Sequence, residues 1–266
     1  MHKWLAMVRA AWLVGSSYRM AMLTSLGSLV VTVIPVYFIA GALQPVMAKT
    51  IQSQGGEYFG FVLIGMIAFM FLGIAVNSLP GVIRGSVSSG TLEAYLTTPT
   101  RLSTVLAGTV SYDFLWSFAR ALILVTTGAV LGAHIAWGRS LLGIGILGLI
   151  VLAYLPFGIF GAALMLWFRT TGPLPKAVIG LSGFLGGVYY PTHIIPSWLH
   201  SVSAALPLTY GLRALRRVLL EGASLASVAA DLGILITFVV VLCALSVLTF
   251  GLALRDAKRT GSLAQY

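Results

Sequence analysis

Two ionisable residues interrupt an oily stretch of this chain: Asp113 and Arg120, in SYDFLWSFARALILV. A separation of seven residues is two helical turns, so both side chains lie on one face of a helix. Arginine in mid-membrane is penalised by ~2.5–3.5 kcal/mol on insertion scales, so its presence calls for a compensating role. Two roles fit: a structural charge pair, direct or through a neighbouring helix, and contact with a polar substrate in passage. Asn77, Ser182, Tyr189 and Tyr190 are further polar groups within apolar runs. Each serves either helix packing or the lining of a path.

Other chemistry finds less support. Ser182 lies in Gly-Leu-Ser-Gly, residues 180–183, a pattern that could present a nucleophile. Intramembrane proteolysis needs a histidine on a later span to take the serine's proton, and the last oily run, 231–254, has none. His193 and His200, seven apart with no helping Cys or Glu, make a weak metal site. No catalytic residue and no metal site is assigned. Glu93 is different: a lone acid in the polar stretch SSGTLEAYLTTPTRL, residues 88–102.

The elements that position these groups follow from composition. The chain is 59% hydrophobic and 8% charged, with a mean hydropathy of +1.00. Its uncharged runs mostly reach the roughly 20 residues that an apolar helix needs to cross a bilayer. Membrane strands would show about ten alternating residues each, and these runs are longer and do not alternate. The fold class expected is an all-α polytopic membrane protein in one domain, 1–266. Its six spans are expected at 22–44, 58–80, 105–131, 141–167, 174–191 and 231–254. Residues 1–20 place Trp4, Leu5, Val8 and Trp12 on one helical face, which suits an interfacial helix; Arg9 breaks any signal-peptide core.

With both termini cytoplasmic, ten Lys and Arg residues fall inside and five outside, as the positive-inside rule prefers. The net charge of +10 is scattered between spans, which points to anionic lipid and not to nucleic acid. Three of the five outer arginines, Arg213, Arg216 and Arg217, cluster and need their own account.

In the link between the second and third spans, Leu92, Tyr95, Leu96 and Pro99 recur at helical spacing. Ser88, Ser89 and Gly90 are capping candidates, Glu93 sits where the helix dipole favours an acid, and Pro99 stops the helix. So short a helix must rest on the bilayer, on its own bundle or on a partner. Between the fifth and sixth spans two short amphipathic helices are expected. The first has Trp198, Leu199, Val202, Ala205 and Leu206 on one face. The second starts at Pro207, places Leu208, Leu212, Leu215 and Leu219 opposite Thr209, Arg213, Arg216 and Arg217, and stops at Gly222.

SGTLEAYLTTP resembles the cytoplasmic-loop motif of ABC-2-type permeases, the membrane subunits of type V ABC exporters. A second segment, GGVYYPTHIIPSWLHSVSAALPLTYGLRALRRVLLEG at 186–222, is similar to the element that follows the family's fifth span. The order and spacing of all six spans agree. The resemblance implies that residues 88–99 form a coupling helix contacting an ATPase, with Gly90, Thr91, Leu92, Glu93, Tyr95, Leu96 and Pro99 at that contact. It implies that 194–222 forms an outer re-entrant hairpin carrying Pro191, Pro196, Trp198, Pro207, Tyr210 and Arg213. It implies that the second and fifth spans line the central path of a dimer, through Asn77, Ser182, Tyr189 and Tyr190.

The chain has no GxxxxGK[ST] phosphate loop. By the resemblance, ATP and Mg are bound by a separate cytoplasmic ATPase subunit in two copies, and this chain itself binds no cofactor. A second permease copy, or a close relative, completes the complex. The expected function is outward movement of a hydrophobic or amphipathic substrate (a drug, a lipid or a lipid-linked glycan) across the bacterial inner (plasma) membrane. An ATP-independent channel or ion-coupled carrier is the alternative, and a carrier would more often show internal repeats and mid-membrane acids.

Overall fold

A computed structural model describes residues 9, 12–13, 17–88, 102–168 and 171–259. Among the described residues eight α-helices with defined bounds follow in order: α1 Arg19–Met47, α2 Tyr58–Ser88, α3 Leu102–Val130, α4 Ser140–Phe168, α5 Leu174–Leu185, α6 Ser197–Ala204, α7 Pro207–Glu221 and α8 Leu225–Arg259. Five of them, α1, α2, α3, α4 and α8, are long and apolar enough to cross a membrane. Among the described residues there is no strand. At the N-terminus Arg9, Trp12, Leu13 and Ser17 are helical, and Trp12 meets the Tyr112 ring edge-on at 6.3 Å. The rest of the expected interfacial helix and all of 89–101 lie outside the described residues.

The bundle is built around α2. It packs against α1, α3, α4, α5 and α7, and 72% of its most apolar window is buried, against 11% for α1 and 17% for α8. The sequence explains this: from Phe59 to Ala75 α2 is apolar on every face, so no side has reason to stay outside. Its first half joins Phe61, Leu63 and Phe71 to Val33 of α1 and Leu124 of α3. Its other side joins Ile64, Ala68 and Leu72 to Ile146, Ile150 and Tyr154 of α4 and to Leu208, Leu212 and Leu215 of α7. Helix α4 approaches α2 closely at Gly158, where a Cβ would stand 2.6 Å from the Ala75 carbonyl oxygen. By contrast α1 and α8 present Val31, Phe38, Val240, Val247 and Leu248 outward, the pattern of helices facing lipid or a partner.

Two boundaries differ from expectation. Helix α2 runs on through Pro80 to Ser88, since packing tolerates one missing backbone hydrogen bond within a long apolar helix. The stretch expected as the fifth span, 174–191, is helical only over Leu174–Leu185, about 18 Å against a hydrocarbon core of about 30 Å. The cause is local. At Gly186 a Cβ would overlap the Ser182 carbonyl, and Gly187 takes φ +84, a left-handed conformation that leaves the helix.

Helix α5 nevertheless runs alongside most of α2. Its start lies at the level of Pro80, since Pro80 and Pro175 both approach Gly161 of α4. Further along, Gly183 rests on Phe69. After the turn, Tyr189 offers its carbonyl to the Tyr58 hydroxyl at 2.9 Å, beside the first turn of α2.

Candidate functional site

Two regions gather the polar groups: a cap over the first turn of α2, and a cleft between α2 and α3.

The cap is organised by Arg216. Helix α7 begins with Pro207 at its first position and ends at Gly222, φ +68, whose N–H returns to the Arg217 carbonyl. Both limits are those expected from sequence. Its faces are not, because Arg216, expected beside Arg213 and Arg217 on the polar side, is 1% exposed. Position 216 stands only about 40° round the helix from Leu212, so a helix whose apolar stripe is buried takes Arg216 in with it.

The guanidinium is satisfied without an acid among the described residues. Nε donates to the Phe61 carbonyl at 3.1 Å, Nη1 to Gly187 at 2.7 Å and Nη2 to Val188 at 2.8 Å. Its Cζ lies 3.3 Å from the centre of the Phe61 ring, adding a cation–π contact. Burial pushes its pKa well below the ordinary value, and Tyr58 opposes that shift. One side chain thus ties α7, the Gly187–Val188 turn and α2 together. Gly65 makes room: a Cβ there would overlap the Val188 carbonyl oxygen and stand 2.7 Å from Arg216 Nη2.

Around this clamp the 194–222 stretch forms two short helices. Pro191 leads into a 3₁₀ turn, Thr192–Ile194, and Pro196 precedes α6. Ser203 donates to the Leu185 carbonyl at 2.8 Å, and Thr209 to the Ser203 carbonyl at 2.7 Å, so the α6–α7 corner is held to the end of α5. The Tyr210 hydroxyl bonds the Ala204 carbonyl at 3.0 Å. Trp198 is 75% exposed. Arg213 forks onto Asp231 at the start of α8, with Nε 3.0 and 2.9 Å from the two carboxylate oxygens, and this bond raises the Arg213 pKa.

Arg217 donates to the Ser227 carbonyl at 3.0 Å and stands 3.9 Å from Glu221, which in turn accepts from Gly55 N–H at 3.0 Å. Gln44 of α1 caps α2 from both sides, accepting from Tyr58 N–H at 2.7 Å and donating to Gly56 at 2.9 Å.

The cleft holds about 560 Å³ and is lined by Asn77, Ser78, Asp113, Trp116, Ser117 and Arg120 among others. It brings together three residues marked in the sequence, Asn77, Asp113 and Arg120. No ion pair joins the two charges: Arg120 donates to the Ser25 hydroxyl of α1 and stands 5.8 Å from the Trp116 ring. The Asn77 amide donates to Gly73 at 3.0 Å and is exposed.

The remaining marked residues sit elsewhere. Ser182 is fully buried, its hydroxyl 2.8 Å from that of Tyr154. Tyr190 bonds the Phe184 carbonyl, and Tyr189 is 44% exposed. Glu93 and its neighbours at 89–101 lie outside the described residues.

Sequence reasoning missed Tyr154, Gly65 and the acid for Arg213. A tyrosine in an apolar run and a glycine in a helix carry no distinctive spacing. Asp231 could have been found, as an acid opening the last span opposite three unexplained arginines.

No curated protein matches the chain. The family model for the ABC-2 type transporter matches residues 2–220, more than four-fifths of the sequence, and takes in α1 to α7, the cleft and the Arg216 clamp. With five helices among the described residues long and apolar enough to span a bilayer, the chain belongs to the ABC-2 type transporter family and is an integral membrane permease component of an ABC transporter.

Proposed function

We propose that this chain is the membrane-spanning subunit of an ATP-driven exporter that moves a hydrophobic or amphipathic substrate outward. The family match over residues 2–220 carries this reading. Two copies, or one with a close relative, surround a path and stand on two copies of a cytoplasmic ATPase. Residues 88–99 couple to that ATPase through Glu93 and the Leu92–Tyr95–Leu96 face. Both termini are cytoplasmic, and the membrane is a bacterial inner (plasma) membrane. Helix α5 with its Gly186–Gly187 turn makes a sixth crossing; its run beside α2 from the level of Pro80 to Tyr58 supports this. The α6–α7 pair forms a hairpin over the outer end, supported by the bonds that fasten it to α5 and α2.

The test uses the chain expressed with its cognate ATPase. Leu96→Asp should abolish copurification and transport-stimulated ATP hydrolysis, while Glu93→Ala weakens both. Unchanged binding and hydrolysis in Leu96→Asp would sink the coupling role. Substrate movement without ATP would assign a channel or carrier instead.

A further inference from the structure

The cleft between α2 and α3 carries groups of both signs that the described residues leave unmatched. The Asp113 carboxylate receives no hydrogen bond and faces no cation among them. Arg120 spends its guanidinium on Ser25, yet its Nε is buried without a partner. The Ser78 hydroxyl is likewise buried and unpartnered, in a residue 8% exposed. Buried polar atoms are almost always paired, so two orphans in residues that line one cavity, beside an unmatched carboxylate, favour a polar ligand there. The cleft also has apolar walls, from Trp116, whose ring lies beside Arg120, and from Ile74 and Val82.

We infer that this cleft binds a zwitterionic amphiphile: an ammonium at Asp113, a phosphate or similar anion at Arg120 and Ser78, and an apolar chain along α2. Opposite charges in one site favour a ligand with both signs over one carrying either alone, since each unmatched charge is costly in a membrane. The available volume is that of a small-molecule site. The apolar slot between α2, α3 and α4 holds about 140 Å³, too little for such a ligand, and offers nothing to a headgroup. As a statement about cargo, the inference rests on the transport reading above; as a statement about binding, it does not.

The experiment uses the full chain with Cys243→Ser and Asn77→Cys, in vesicles of phosphatidylglycerol and a neutral glycolipid, which contain no zwitterionic lipid. Alkylation of the cysteine at 77 by a maleimide is timed with dodecylphosphocholine, dodecyltrimethylammonium or dodecyl maltoside, each below its micellar concentration and at equal membrane-bound amounts. Dodecylphosphocholine should slow alkylation about fivefold or more, through charge-assisted contacts the other two make in part or not at all. Asp113→Asn and Ser78→Ala should each remove most of that protection. Ser78→Ala loses no hydrogen bond of the fold and decides the matter should Asp113→Asn fail to fold.

Equal protection by all three probes, protection by the trimethylammonium compound alone, absence of protection, or protection that survives Ser78→Ala would overturn the inference. No nucleotide or ATPase enters the assay. Loss of coupling through residues 88–99 therefore leaves the cleft reading standing, and loss of protection leaves the coupling reading standing.

Discussion

Gly65→Ala is a small change aimed at a crowded point. The new methyl overlaps the Val188 carbonyl oxygen and stands 2.7 Å from Arg216 Nη2. To reach ordinary van der Waals separation, the carbonyl must retreat by about 1 Å, which carries it out of its 2.8 Å bond to Arg216. Neither neighbour gives way easily, since one is backbone and the other a guanidinium held to two further carbonyls. A hydrogen bond to a charged group contributes about 1.5–3 kcal/mol, and overpacking a filled site costs about 1–3 kcal/mol. The sum is about 2.5–6 kcal/mol, less whatever the better helix propensity of alanine returns, about 1 kcal/mol.

For a chain of this size each kcal/mol moves the thermal midpoint by roughly 2–4 °C, so a fall of roughly 3–20 °C is expected in purified protein followed by fluorescence or by loss of the monodisperse peak. Gly73→Ala, on the same helix with nothing within 4 Å, should leave the midpoint unchanged or slightly higher. Repeating Gly65→Ala in an Arg216→Met background should recover at least about 1 kcal/mol of the loss, because contacting residues couple. A Gly65→Ala midpoint within ~2 °C of the parent would refute the clamp, as would an undiminished loss in the Arg216→Met background.

Three further outcomes follow from the packing. Tyr154→Phe removes the partner of the Ser182 hydroxyl and a 3.4 Å contact with Leu208 N–H, and should cost about 1–3 kcal/mol; Ser182→Ala added to it should cost little more, as read from midpoints of the single and double variants. Asp231→Ala should cost only about 1 kcal/mol, since the Arg213 side chain is 44% exposed and water can take over its donors. Gly222→Ala places a Cβ at φ +68 and should cost about 1 kcal/mol, measurable as a midpoint shift with no change in helix content by circular dichroism.

The long elements were legible because their signal is one-dimensional. An uncharged run of some twenty residues has few stable fates besides a membrane helix; α1, α3 and α4 appear within three residues of their expected limits, and α8 contains its expected span and overruns it by six residues at the start and five at the end. Pro207 and Gly222 bounded α7 by chemistry that acts within a single turn. The end of the fifth expected helix was misjudged because apolar content says nothing about where the backbone turns; the Gly186–Gly187 pair lay inside an oily run and looked continuous with it. Arg216 was misjudged for a different reason. Side-chain type placed it with the other arginines, but its angle on the helix placed it with Leu212, and the angle prevailed because three carbonyls stood ready to replace its water.

Hydropathy and charge alone determined that this chain is an all-helical membrane protein, where its long helices run, and that Asp113 and Arg120 needed explaining, because lipid penalises polar groups residue by residue without reference to neighbours. Only the tertiary structure decided which polar groups meet. The distance from Arg216 to the Gly187 and Val188 carbonyls, the separation of Arg120 from Asp113 and the gathering of Asn77 and Ser78 with them depend on how α2 is surrounded. Contacts between residues up to 166 positions apart leave no trace in local composition, since they arise from helix packing angles and from a turn that two glycines permit.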